Sequence, residues 1–174
     1  MSLQLAHKAP SNPLAKFSVI LLTDNLMGDA NIGGIFRLAD AFNIDKIIFC
    51  GTPFNPESNR LKKTARSTLK NVAYEFQENP LKAIEKLKEL KYAVFALEIT
   101  TDSEIIDSIN FEEESKIVLI VGNERHGIDD SLLEIADKKV HIEMFGKNSS
   151  MNVAQATGIA LYEITKSLPR FQKK

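Results

Sequence analysis

The chain has 174 residues, 44% of them hydrophobic and 26% charged, with a formal net charge of −1. This suits one globular domain with a core of its own. It excludes a molecule that holds nucleic acid by overall charge, so any such contact must come from a local patch. The single cysteine, Cys50, excludes an internal disulfide and fits a cytoplasmic setting. No apolar run reaches the roughly 20 residues needed to cross a bilayer.

Residues 1–16 are a loose, proline-containing lead-in without the apolar core of a signal peptide. Phe17–Leu22 (FSVILL) is a short apolar run that reads as a buried strand. Ile32, Ile35, Phe36, Ala39 and Phe42 then recur at helical spacing, with Asn31 or Asp29 placed to cap that helix. Lys46–Cys50 is a second strand, closed by Gly51-Thr52-Pro53. Glu57–Thr68 has helical composition and dense positive charge. Pro80–Lys91 is a helix with proline suited to its first turn. Tyr92–Leu97 and Ile117–Val121 are the third and fourth strands, separated by an acidic stretch, Asp102–Glu114, expected as a surface excursion. Asp129 or Asp130 starts a short helix to Asp137, Lys139–Ile142 is a fifth strand, and a helix from Ser149 or Ser150 to Ser167 ends the chain. Strands alternating with helices predict an α/β fold: a mostly parallel sheet covered on both faces.

Three segments carry candidate chemistry. In Asn31–Arg37 (NIGGIFR), two adjacent glycines weaken a helix by about 1 kcal/mol each. That cost implies a close approach to the backbone, and Arg37 lies within two turns of it. In Ile117–Ile128 (IVLIVGNERHGI), an apolar run stops at Gly122-Asn123-Glu124 and turns again at Gly127. A buried strand would thus deliver a polar loop to the carboxyl edge of the sheet, where α/β proteins bind ligands. His126 reads as an exposed loop histidine. In Ser149–Tyr162, a capped apolar helix offers free amide donors and the positive end of its dipole. Nothing has the spacing of a GxGxxG phosphate turn, and no His/Cys/carboxylate group has metal-ligand spacing.

Taken together and in this order, the three segments resemble the motifs of the SpoU/TrmH branch of the SPOUT RNA methyltransferases. Asn31 precedes Arg37 by the family's six residues. Gly122, Asn123, Glu124 and Gly127 match the second motif, and Ser150, Met151, Asn152 and Val153 the third, although Gln155 and Thr157 are more polar than that motif leads one to expect. The resemblance runs from Phe17 to Ser167. It implies a SPOUT-type α/β knot with a C-terminal trefoil knot, a single domain over 1–174 without a separate RNA-binding domain, and a homodimer. It implies S-adenosylmethionine (SAM) as cofactor, held by Val121, Gly122, Asn123, Glu124, Gly127, Ile142, Met151 and Asn152. Arg37, Asn31, Glu124, Ser150 and Asn152 would form the catalytic set.

The implied reaction moves the SAM methyl group to a ribose 2′-hydroxyl of tRNA or rRNA, with no metal and no membrane involved. Deprotonating an arginine near pH 7 costs roughly 7 kcal/mol, so Arg37 is expected to act as a charged clamp on a phosphate. The phosphate or water would take the proton, and Ser150 and Asn152 would orient this group. Arg60, Lys62, Lys63 and Arg66 form the candidate RNA-binding stretch, with Arg170, Lys173 and Lys174 as possible additions. The alternatives are a non-catalytic RNA-binding or assembly protein on the same fold, and an unrelated small α/β nucleotide-binding domain. The terminal helix carries more apolar positions than one buried face requires: Val153, Ala154, Ala156, Ile159, Ala160, Leu161 and Ile164. The surplus is expected to form the dimer interface.

Overall fold

The computed structural model describes residues 16–114, 116–148 and 150–168. The N-terminal lead-in up to residue 15, Ser149, Arg170, Lys173 and Lys174 lie outside the described residues. The elements run β1 (Phe17–Asp24), α1 (Asp29–Ala41), β2 (Ile44–Cys50), α2 (Asn59–Ala65), α3 (Thr68–Asn71), β3 (Ala73–Gln77) and α4 (Pro80–Glu89). There follow β4 (Ala93–Leu97), β5 (Glu104–Ile105), a single 3-10 turn (Ile106–Ser108), β6 (Ile117–Val121), α5 (Asp130–Ile135), β7 (Lys138–His141) and α6 (Val153–Ser167).

The seven strands form one sheet in the order β3-β2-β1-β6-β4-β7-β5, and every pairing is parallel. This agrees with the predicted class. The central pair sets Val19 opposite Ile117 and Thr23 opposite Val121. All five residues of β6 are buried, which is why it reads as an unbroken apolar run: a strand covered on both faces has no solvent side to alternate with.

Alternation along β1 divides the core. Val19 and Leu21 face a layer built from α1, α2 and α6. Ile20 and Leu22 face a smaller layer built from α4 and α5, where Ala83, Ile84, Leu87 and Leu132 are buried.

Several expectations are corrected. The cap of α1 is Gly28, at φ 82°, and no side chain caps the helix; Asp29 instead accepts a hydrogen bond from the Ser58 hydroxyl. Glu57–Thr68 is not one helix. Arg66 sits at φ 55°, ψ −131°, which ends α2, and α3 begins two residues later. The acidic Asp102–Glu114 stretch is not a mere surface excursion. It contributes β5 and the 3-10 turn, and Ile106, Ile109 and Phe111 enter the core. Its acidic residues stay at the rim, where Asp102 pairs with Lys139 at 2.7 Å. β3 adds a strand to those predicted: its AYEFQ sequence lies at the sheet edge and is only partly buried.

Candidate active site at the carboxyl edge of the sheet

The glycine pair in α1 is explained by two neighbouring helices rather than by a ligand. A Cβ on Gly33 would stand 2.6 Å from Thr64 Cβ of α2, and one on Gly34 would stand 3.1 Å from Ala154 Cβ of α6. Farther along, a Cβ on Gly158 would meet Leu38 at 3.1 Å. α1 is thus wedged between α2 and α6, with its apolar stripe Ile32, Ile35, Phe36 and Ala39 on the sheet. Arg37 lies one turn beyond the glycines, so it projects from the same side of α1. It is exposed, and no ion pair or hydrogen bond holds its guanidinium among the described residues.

Beyond β6 the chain makes a tight loop. The Asn123 and Gly127 backbones exchange hydrogen bonds of 2.8 and 2.9 Å. A Cβ on Gly122 would fall 2.3 Å from the Gly127 carbonyl carbon, so only glycine closes this turn. The Asn123 carboxamide fixes the rest: its oxygen accepts from the Arg125 backbone N–H at 2.8 Å, and its nitrogen donates to the Asn25 carbonyl at 2.7 Å. On the far side of the loop, Glu98 at the end of β4 accepts from the Ile99 and Ile128 backbone N–H groups at 3.0 and 3.2 Å. His126 is exposed, as expected.

α6 is capped by Asn152, not by Ser149 or Ser150. Its side-chain oxygen accepts from the Ala154 and Gln155 backbone N–H groups at 3.0 and 3.3 Å. The nitrogen of the same carboxamide donates to Asn31 Oδ1 at 2.8 Å, and Asn31 Nδ2 donates in turn to the Glu124 carboxylate. A directional chain, Asn152 to Asn31 to Glu124, therefore ties the three sequence segments together. Each amide has its oxygen and nitrogen committed, which fixes both side chains against rotation.

These elements enclose a cleft of about 560 Å³. Val121, Gly122, Asn123, Glu124, Gly127, Ile142, Ser150, Met151 and Asn152 all line it. The structure thus brings together the entire predicted cofactor set. Lining residues that sequence reasoning missed include Leu97, Glu98, Ile99, Arg125, His141 and Met144. Leu97 ends β4, which pairs with β6, and His141 ends β7, the next parallel strand over, so the carboxyl-edge rule was the signal that could have found them. Arg37 and Asn31 are not lining residues; Asn31 touches the rim through Glu124, and Arg37 is exposed on α1 outside the lining.

The predicted basic stretch lies on and after α2, with Arg60, Lys62, Lys63 and Arg66 all exposed. Lys62 is partly committed, 2.5 Å from Glu57. The lone thiol plays no part: Cys50 is buried on β2, and burial, aided by the nearby Asp24 and Glu75 carboxylates, pushes its pKa up to about 12.

Comparison with known proteins agrees with this geometry. Residues 18–162 match the model of the SpoU rRNA methylase family. A tRNA (guanosine(18)-2′-O)-methyltransferase of Aquifex aeolicus is 34% identical over 148 residues, covering 83% of this chain and 67% of that protein. A 23S rRNA (guanosine(2553)-2′-O)-methyltransferase of Bacillus subtilis is 27% identical, covering 89% of this chain and 61% of the relative. The chain therefore spans two thirds or less of the length of these curated relatives. Among solved structures, the A. aeolicus TrmH/SpoU tRNA modifying enzyme superposes with a TM-score of 0.79 at 27% identity, covering 88% of this chain and 76% of that one. An AdoMet-bound rRNA methyltransferase from Sinorhizobium meliloti also reaches 0.79, at 25% identity, covering 88% and 57% of the two chains. With its motifs converging on one cleft and most of its length matched, this chain belongs to the SpoU rRNA methylase family.

Proposed function

We propose that the protein is a SAM-dependent RNA methyltransferase that transfers a methyl group to a ribose 2′-hydroxyl of tRNA or rRNA in the cytoplasm. The observation that carries this reading is the hydrogen-bonded chain Asn152–Asn31–Glu124 at the rim of the cleft. A polar chain joining three distant segments is not needed to hold the sheet together, and it is what a pre-organised site requires. The names of the relatives and the AdoMet-bound neighbour support the chemistry. Likeness to the solved family structures supports the trefoil knot expected of the C-terminal part.

The residues present suit an adenosyl cofactor: an apolar floor of Leu97, Ile142, Met144 and Met151 for the base, and a polar rim for the rest. Bound there, SAM supplies an activated methyl group, and the proposed reaction calls for no metal. The protein's contribution is alignment. The turn before α6 presents Ser150, and the helix the positive end of its dipole, to negative charge. Glu124, held by Asn31, fixes the loop over the cofactor. Arg37, unpaired among the described residues, is available to hold the phosphate beside the target ribose and to stabilise the forming alkoxide. The phosphate or water accepts the proton. Arg60, Lys63 and Arg66 would hold the flanking RNA backbone, with Lys62 contributing less.

Arg37 stands outside the cleft of its own chain, which supports a homodimer in which one protomer's arginine serves its partner's cofactor. α6 packs most of its apolar positions on its own chain, with Ala160, Leu161 and Ile164 fully buried. What remains for an isologous contact is a narrower stripe than expected, with Ile159 40% and Tyr162 57% exposed.

The test is direct. SAM should bind at micromolar strength or better and raise the melting temperature by mass action. The protein with SAM should then methylate ribose in an RNA pool, read by mapping 2′-O-methyl positions in cells with and without the gene. No heat and no thermal shift at millimolar SAM would remove the cofactor. SAM binding without any ribose methylation would favour the non-catalytic RNA-binding alternative.

A further inference from the structure

We propose that Glu98 holds the ribose hydroxyls of the adenosyl cofactor, so that the cleft selects a ribonucleoside. The inference rests on the cofactor reading above. Glu98 follows directly on β4, and β4 pairs with β6, the strand that delivers the glycine loop. Its carboxylate lines the cleft and is fixed in place: one oxygen accepts the Ile99 backbone N–H at 3.0 Å, and the other accepts the Ile128 backbone N–H at 3.2 Å. Gly127, at φ 71°, packs against it so closely that a Cβ there would lie 2.5 Å from Glu98 Oε2.

Each carboxylate oxygen accepts one backbone bond and keeps a free lone pair. Several neighbouring polar groups of the lining are committed to the protein itself. Asn123 and Asn152 use both ends of their carboxamides, Glu124 takes Asn31, and His141 Nδ1 faces the Ser103 hydroxyl at 2.9 Å. A rigid pair of acceptors matches a vicinal pair of hydroxyl donors, the same chemistry by which an acidic residue holds the ribose in dinucleotide-binding α/β folds. The position fits as well. Glu98 lies between Leu97 and Ile99, which line the cleft with it.

Calorimetry with 5′-methylthioadenosine, its 2′,3′-dideoxy counterpart and S-adenosylhomocysteine tests this on wild type and Glu98→Gln. Wild type should prefer the diol over the dideoxy compound by about ten-fold or more, the scale of a hydrogen bond to a charged group. In Glu98→Gln that preference should collapse, through weaker binding of methylthioadenosine and S-adenosylhomocysteine and unchanged binding of the dideoxy compound. A wild type that binds diol and dideoxy compounds equally overturns the inference without any variant. An equal loss for both compounds in Glu98→Gln overturns it too, because Glu98 then only braces the loop through Ile128. Weakening of S-adenosylhomocysteine alone overturns it in favour of contact with the ammonium group. Failure of S-adenosylhomocysteine to bind wild type removes the cofactor reading itself, and this inference with it.

Discussion

The two faces of the sheet are built by different rules. On one, α4 and α5 pack through Ala83, Ile84, Leu87 and Leu132. The side chains of their caps bond within the helix: Asn79 accepts the Lys82 backbone N–H at 3.0 Å, and Asp129 accepts that of Ser131 at 3.0 Å. On the other, α1, α2 and α6 approach through glycines, and the α6 cap also anchors a polar chain across the site. The first face is a stability layer. The second accepts glycine in a helix and exposed polar side chains in fixed rotamers, both unfavourable for folding alone. Function is therefore expected to fail separately from stability on the second face and only together with it on the first.

The largest effect that would sharpen this contrast is at Arg37. Arg37→Ala should lower methyl transfer by about 10²–10³-fold, the scale for losing one donor aimed at developing charge. SAM affinity and melting temperature should stay near wild type, because the side chain is exposed and unpaired among the described residues. Arg37→Lys should also be poor, since lysine lacks the planar fork. Full activity of either variant on the true RNA would break the assignment.

On the opposite face, Ile84→Ala removes a fully buried side chain and should cost about 2–5 kcal/mol. Denaturant titration should record it, while kcat per folded molecule stays unchanged. A specific loss of kcat would show that the two faces are coupled. Gly33→Ala is intermediate. Its methyl must displace Thr64 and should cost about 1–3 kcal/mol, partly offset by alanine's better helix propensity. Pairing it with Thr64→Ser, which removes the nearby methyl carbon, should recover part of the loss. The smallest signal concerns Cys50. Its pKa of about 12 leaves almost no thiolate at pH 7–9, so alkylation of the native protein should be slow across that range and become rapid only in denaturant. Fast labelling of native protein would mean that the β2 end of the sheet opens.

Much of this division was legible in the residues. β1, β6, α1, α4 and α6 announce themselves because burial on both faces gives unbroken apolar runs, and burial on one face gives helical spacing. The residues that the family resemblance singled out for the cofactor all line one cleft. What was missed has a common physical cause: it depends on partners far away in the chain. Ser150 and Asn152 are equally good caps locally, and only Asn31 opposite makes Asn152 the one used. Gly33-Gly34 signalled a close approach, but not that helices rather than a ligand make it. β5 is two residues long and exists only because β7 pairs with it. Glu98 looks like any glutamate after a strand until the Ile128 amide is placed against it. Arg66 gives no local warning of its positive φ, which cuts a single expected helix in two.

The Asn152–Asn31–Glu124 chain has a consequence for synthesis on the ribosome. Its two bonds span 93 and 121 residues of sequence, and Asp24 reaches 105 residues to the Asp129 amide. Contacts of such range form late and slowly, because loop closure must come before they contribute. The site cannot assemble until α6, the last element described, has left the ribosome and docked on α1. A prematurely terminated chain can hold most of the sheet, yet it lacks the cap that orients Asn31. Catalytic competence thus requires α6 to be in place, and fragments that lack it are expected to transfer no methyl group.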